Sequence, residues 1–189
     1  MKSILVTGGA RSGKSTYAQN FAMESGKEVL FVATATAGDE EMKQRIENHK
    51  RARPSSWETL EVATHVGNSI LEKVGKAELV IVDCITLLVN NVIGQYADDS
   101  GEQFDTSLVE RDVVSEINEL IDCMKRLDIS FIVVTNEVGT GLVPVNKMGR
   151  VYRDLLGRAN QLLAKQADEV YLMVTGLPLM IKPNRLLDE

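Results

Sequence analysis

Three groups of residues in this chain have types and spacings suited to chemistry on phosphate esters. The first is Gly8-Gly9-Ala10-Arg11-Ser12-Gly13-Lys14-Ser15, which fits the pattern G-x-x-x-x-G-K-[ST]. Gly8, Gly9 and Gly13 let the backbone turn so that successive N–H groups point inward at phosphate oxygens. A helix beginning near Gly13 adds the positive end of its dipole. Lys14 can reach the outer phosphates as a point charge, and the Ser15 hydroxyl is placed to bind Mg²⁺. The apolar run Ile4-Leu5-Val6 precedes the loop, and Tyr17, Phe21 and Ala22 follow at helical spacing. That strand–loop–helix context separates the motif from a glycine-rich turn with the same letters.

The second group is Asp83, which closes the run Leu79-Val80-Ile81-Val82. A carboxylate there suits the second metal-binding position of a P-loop enzyme. An aspartate after a strand is also a common helix N-cap, and spacing does not separate the two. The loop upstream favours metal or nucleotide contact. The third group surrounds His49, with Arg45 one turn before it and Lys50, Arg51 and Arg53 after it. A neutral imidazole beside a triphosphate can attack phosphorus, and the cations would draw the polyphosphate in. Yet His49 shares a helix face with Met42 and Ile46, where a histidine is ordinarily satisfied by one hydrogen bond. The cations also complement a helix C-terminus, so periodicity alone disfavours catalysis by His49. His65, before Val66-Gly67, reads as surface or cap. Trp57, the sole tryptophan, could stack on a base, although half-buried packing is its ordinary role. Asn136 and Glu137 close an apolar run and either face an acceptor or simply begin a loop.

Alternating strands and helices must position these groups. Short apolar strands are expected at Ile4–Val6, Glu28–Ala33, Leu79–Asp83, Ile129–Thr135 and Glu169–Thr175, with a possible edge strand at Trp57–Val62. Leu177–Ile181 would pair with the strand before it around Gly176. Helices are expected at Asp39–Arg53, His65–Lys76, Thr86–Gln95, Val109–Leu127 and Met148–Gln166. Asp39 would cap the first of these and Pro54 would stop it. Tyr96–Gln103 reads as loop, as do Thr34–Gly38 and Asn136–Asn146. The pattern implies an α/β fold: a mostly parallel sheet covered on both faces, with ligands at the carboxyl ends of its strands. Those ends are Gly8, Thr34, Asp83 and Asn136.

At 189 residues the chain is expected to form one domain, 1–189. Its net charge of −6 argues against nucleic acid or an anionic membrane surface as main partner. Cys84 and Cys123 lie far apart in apolar sequence, which fits buried packing in a reduced, cytosolic setting. No apolar run approaches the roughly 18 residues that span a bilayer. The glycine-rich loop follows the first strand directly, so no amino-terminal leader is expected.

Several segments together resemble one family. They are the Gly8–Ser15 loop, Ala33-Thr34-Ala35, Asp39 to Lys50, Arg53-Pro54-Ser55-Ser56-Trp57, Glu61, Asp83-Cys84-Ile85-Thr86 and Thr135-Asn136-Glu137-Val138-Gly139. In this order they are similar to the bifunctional adenosylcobinamide kinase/adenosylcobinamide-phosphate guanylyltransferases of cobalamin biosynthesis. The likeness extends through Arg158-Ala159-Asn160-Gln161 to Ala167-Asp168-Glu169-Val170. It implies a RecA-like P-loop domain that phosphorylates adenosylcobinamide with ATP or GTP. It also implies transfer of GMP from GTP to the phosphorylated product through a guanylyl-histidine, releasing pyrophosphate. The modified histidine falls on His49, reversing the reading from periodicity. Nucleotide contacts fall on Gly8 to Ser15, on Ala33, Thr34 and Ala35, on Lys50, Arg51, Ala52 and Arg53, and on Glu61 and Asp83. Lys14 would act with His49 in catalysis, Ser15 and Asp83 would hold Mg²⁺, and a homotrimer is implied. Some members carry two adjacent histidines where this chain has Asn48-His49, and some carry Glu in place of Asp83. Two other readings compete: a small-molecule P-loop kinase without the guanylyl step, and a non-catalytic GTP-binding module.

Overall fold

Short runs of β-branched and aromatic residues, each bounded by glycine, proline or polar turns, build the sheet. In the computed structural model, residues 2–36, 38, 40–51, 53–96 and 104–183 are described, without the side chains of 41, 42 and 45. The elements in chain order are β1 (Ser3–Gly8), α1 (Lys14–Ser25), β2 (Val29–Ala33), α2 (Glu40–Arg51), β3 (Glu58–Glu61), α3 (Val66–Lys73) and β4 (Leu79–Asp83). There follow α4 (Ile85–Gly94), α5 (Thr106–Arg126), β5 (Ser130–Val134), α6 (Lys147–Gln166), β6 (Glu169–Val174) and β7 (Leu177–Lys182). The strands form one sheet in the order β3-β2-β4-β5-β1-β6-β7. All neighbours are parallel except β6 and β7, which pair antiparallel around Thr175 and Gly176. Both turn residues have positive φ, as a tight hairpin requires. The mostly parallel sheet and the terminal antiparallel pair are those expected from the sequence.

Every residue of β2 and β5 is buried, the mark of a strand covered on both faces. Alternation sorts the core into two layers. Ile4, Val6, Phe31, Ile81 and Ile132 pack with Ala18 and Ala22 of α1 on one face. Leu5, Leu30, Val80 and Val133 pack with α3, α4, α5 and α6 on the other.

Helix ends are set by local hydrogen bonds more than by the apolar pattern. Helix α5 begins three residues before the expected Val109, because the Asp105 carboxylate accepts from the amides of Ser107 and Leu108. Asn146 likewise caps α6, accepting from the Gly149 amide at 2.7 Å. Helix α3 ends at Lys73 rather than Lys76, and His65 occupies its N-cap position without a side-chain cap. Glu116 of α5 does the capping instead, accepting from the amides of His65 and Val66 at 2.8 Å each. Gly67 lets the helices meet there, since a Cβ on it would lie 2.4 Å from the Glu119 carbonyl oxygen. The cap expected at Asp39, the loop at 97–103 and Ala52 fall outside the described residues. Among the described residues no helix is long and apolar enough to cross a membrane.

Candidate functional site

The carboxyl ends of β1, β2, β4 and β5 converge on one edge of the sheet, and the loop after β1 shapes it. Gly8 has φ +147°, and a Cβ on it would stand 2.5 Å from the Met173 carbonyl oxygen of β6, so only glycine fits. Gly13 has φ +94° and sits against Gly176 of the β6–β7 turn, whose N–H donates to the Ser12 carbonyl at 3.0 Å. The hairpin therefore braces the loop from behind. Gly9, Ala10 and Arg11 are exposed on its crest, and Ser12 and Gly13 are half-buried. Lys14 is buried, and its ammonium donates to the Gly9 carbonyl at 2.5 Å.

Asp83 lies two strands from the loop, because β5 is inserted between β1 and β4. Cys84, not Asp83, is the N-cap residue of α4, and it makes no side-chain cap bond. The carboxylate is therefore not used as a cap and faces the site. Burial pushes it above the usual carboxylate range, opposed by a hydrogen bond from Ser15 and by the charges of His49, Arg53 and Lys14. The residues brought together are thus Lys14, Ser15, Asp83, His49 and Arg53. A carboxylate and a serine hydroxyl at one sheet edge are hard oxygen donors of the kind Mg²⁺ takes, with phosphates and water completing its shell. Among the described residues no cluster of three or more His, Cys, Asp or Glu could hold a metal unaided.

Arg53 lies over the Phe31 ring, its guanidinium carbon 3.7 Å from the centroid. Its Nε and Nη1 are buried without hydrogen-bond partners, leaving a planar donor fork free for an anion. Burial pushes the guanidinium down, while Asp83 and Glu61 push it up. Trp57 stacks on Phe31 with centroids 6.4 Å apart and rings tilted by 19°, half-buried against the core, so it packs against protein rather than standing open to a base. His49 is half-buried in the last turn of α2. The next residue, Lys50, pairs with Glu61 of β3 at 2.5 Å, tying the end of α2 to the sheet edge. Arg51 turns outward, 76% exposed and 3.6 Å from Glu47, and is not brought into the group.

Ala33 and Thr34 are buried at the end of β2, and Ala35 is half-buried beside them. The Thr34 hydroxyl is engaged on both sides. It donates to the Cys84 carbonyl at 2.7 Å and accepts from the Cys84 amide at 2.8 Å, locking β2 to β4. Sequence reasoning gave no role to the residues that hold this edge together. Asn91 of α4 donates to the carbonyls of Thr34 and Ala63, at 2.8 and 3.0 Å. Asn160 of α6 accepts from the Thr135 hydroxyl at 2.7 Å and donates to the Asn136 carbonyl at 2.9 Å. Thr86 accepts from the Asn136 amide at 2.9 Å. An amide within the apolar run Leu87-Leu88-Val89-Asn90-Asn91-Val92-Ile93 was the available signal. Burial pushes the Cys84 and Cys123 thiols up to about 11, in keeping with packing roles.

Residues 4–181 match the cobinamide kinase / cobinamide phosphate guanyltransferase family. The chain belongs to this family. The bifunctional adenosylcobalamin biosynthesis protein CobU of Escherichia coli K12 is 41% identical over 180 residues, covering 95% of this chain and 99% of that protein. The Salmonella typhimurium protein of the same name is also 41% identical, over the same shares. The CobP protein of Pseudomonas aeruginosa is 36% identical, over 96% and 98% of the two chains. Among solved structures, the RadB recombinase aligns with 90% of this chain and 73% of its own, with 18% identity and a TM-score of 0.49.

Proposed function

We propose that this protein phosphorylates adenosylcobinamide with ATP or GTP and then transfers GMP from GTP to the product through a guanylyl-histidine at His49. Family membership supports the two reactions. The observation that carries their assignment to residues is the meeting of Lys14, Ser15, Asp83, His49 and Arg53 at one sheet edge.

In the first reaction the loop amides and Lys14 hold the triphosphate while the aminopropanol hydroxyl attacks the γ-phosphorus. The bond from γ-phosphorus to the bridging oxygen breaks and the nucleoside diphosphate leaves. In the second, an imidazole nitrogen of His49 attacks the α-phosphorus of GTP and pyrophosphate departs. A phosphate oxygen of adenosylcobinamide phosphate then attacks the guanylyl phosphorus, breaking the P–N bond and restoring the imidazole. The free donor fork of Arg53 meets the charge that develops on the phosphates. Ser15 and Asp83 would hold Mg²⁺, which would neutralise phosphate charge. Gly8 to Ser15, Ala33 to Ala35, Lys50 and Glu61 frame the nucleotide. The active form is a cytoplasmic homotrimer.

The test is product analysis by mass spectrometry with adenosylcobinamide, ATP and GTP. The wild type should yield adenosylcobinamide phosphate and then adenosylcobinamide-GDP. Lys14→Ala should lower both reactions by about a hundredfold or more. His49→Ala should keep the first and lose the second. A wild type that stops at the phosphate would be a kinase alone, and one that yields neither product would be a binding module.

A further inference from the structure

The phosphate-handling residues leave unexplained where a bulky acceptor would rest. Strand β5 ends between the loop-bearing strand β1 and the Asp83 strand β4. The chain that continues from it therefore leaves beside the glycine-rich loop. Its start is pinned there, since the Glu137 amide donates to the Gly8 carbonyl at 3.1 Å. Just beyond, Gly139 lines a cavity of about 600 Å³ together with Arg153, Asp154, Gly157, Arg158 and Gln161 of α6. The lining is mainly polar, with two guanidinium groups, one carboxylate and one amide.

The loop beyond Gly139 has the opposite character. Leu142 and Val145 are each 97% exposed, and Val143 is 62% exposed. The loop that presents them is anchored. Arg150 donates to the carbonyls of Pro144 and Val145, and Asn146 caps α6 just beyond. Three apolar side chains held in water by an anchored loop mark a surface that contacts something apolar.

We infer that this loop and cavity form the acceptor subsite, with the corrin macrocycle lying against Leu142, Val143 and Val145. The macrocycle's amide arms reach Gln161 and the Arg153–Asp154 pair. This inference rests on the proposed function. It is favoured by position, because the start of the loop is hydrogen-bonded to Gly8. It is favoured by chemistry, because a corrinoid combines an apolar ring with hydrogen-bonding amides.

The experiment compares wild type with the double variant Leu142→Ser/Val145→Ser and with Gln161→Ala, using adenosylcobinamide as the varied substrate at saturating ATP. KM for adenosylcobinamide should rise about tenfold or more in the double variant. Guanylylation of His49 by GTP alone involves no corrinoid and should proceed at the wild-type rate, and sedimentation should be unchanged. An unaltered KM would overturn the inference while leaving the proposed function intact. A changed sedimentation coefficient would also overturn it, since the loop would then join copies of the chain. A wild type that binds GTP but turns over no corrinoid would overturn the proposed function and this subsite together.

Discussion

Asp83 shows how function and stability oppose each other at single residues. Its folded carboxyl holds a proton more tightly than it would in the unfolded chain, because burial outweighs the Ser15 hydrogen bond and the nearby cations. Ionisation therefore costs stability. The cost is absent below the ordinary carboxylate range and complete above the raised value. Asp83→Asn should raise the melting temperature of the nucleotide-free protein at pH 8 by about 2–4 °C, with the gain vanishing towards pH 4. The same variant should lose most of its Mg²⁺-dependent transfer activity. Calorimetry at the two pH values checks this, and an unchanged or lower melting temperature at pH 8 would contradict it. The reading of Asp83 also shows a limit of sequence. A carboxylate closing an apolar strand looks the same whether it caps the next helix or faces a ligand. Only the placement of Cys84 at the cap position separates the two. His49 was legible as a residue type in a basic cluster, whereas its nearness to Asp83 was not, since 34 positions of chain separate them.

At the scale of elements, the strands were the most legible part of the chain. Buried parallel strands are short apolar runs, and β2, β4 and β5 have no other reading once their flanking turns are noted. Helix ends were less legible because partners distant in sequence set them. Helix α3 is the clearest case. Its first amides are satisfied by Glu116, some 50 residues later, and no local pattern announces such a cap. Glu116→Ala would leave two amides without that acceptor and should cost about 2 kcal/mol, or about 4–8 °C in melting temperature. Glu116→Gln, which keeps one carbonyl acceptor, should lose about half as much. Thermal unfolding of the two variants checks this, and equal losses would mean that packing rather than capping holds α3. The bracing of the phosphate loop by the β6–β7 turn was equally hidden. Gly176 looked like a hairpin residue and nothing more, yet its N–H holds the Ser12 carbonyl.

For the whole molecule, one sheet edge gathers every proposed step, and a second feature of the surface concerns assembly. Strand β7 closes the sheet with Leu177, Leu179, Met180 and Ile181 all more than 40% exposed, and Val174 beside them on β6 is half exposed. An open edge strand carrying this much apolar surface invites burial against another copy. A homotrimer should sediment at three times the chain mass of 20.8 kDa. Replacing Leu179 and Ile181 by lysine should shift it towards the monomer, and a wild type that sediments as a monomer would contradict the assembly. The central claim is the covalent guanylyl-histidine, and intact-protein mass tests it most directly. After incubation with GTP and Mg²⁺, the wild type should gain a GMP-sized, acid-labile increment that His49→Ala lacks. A folded wild type that gains no mass, or a His49→Ala variant that gains the same increment, would contradict it.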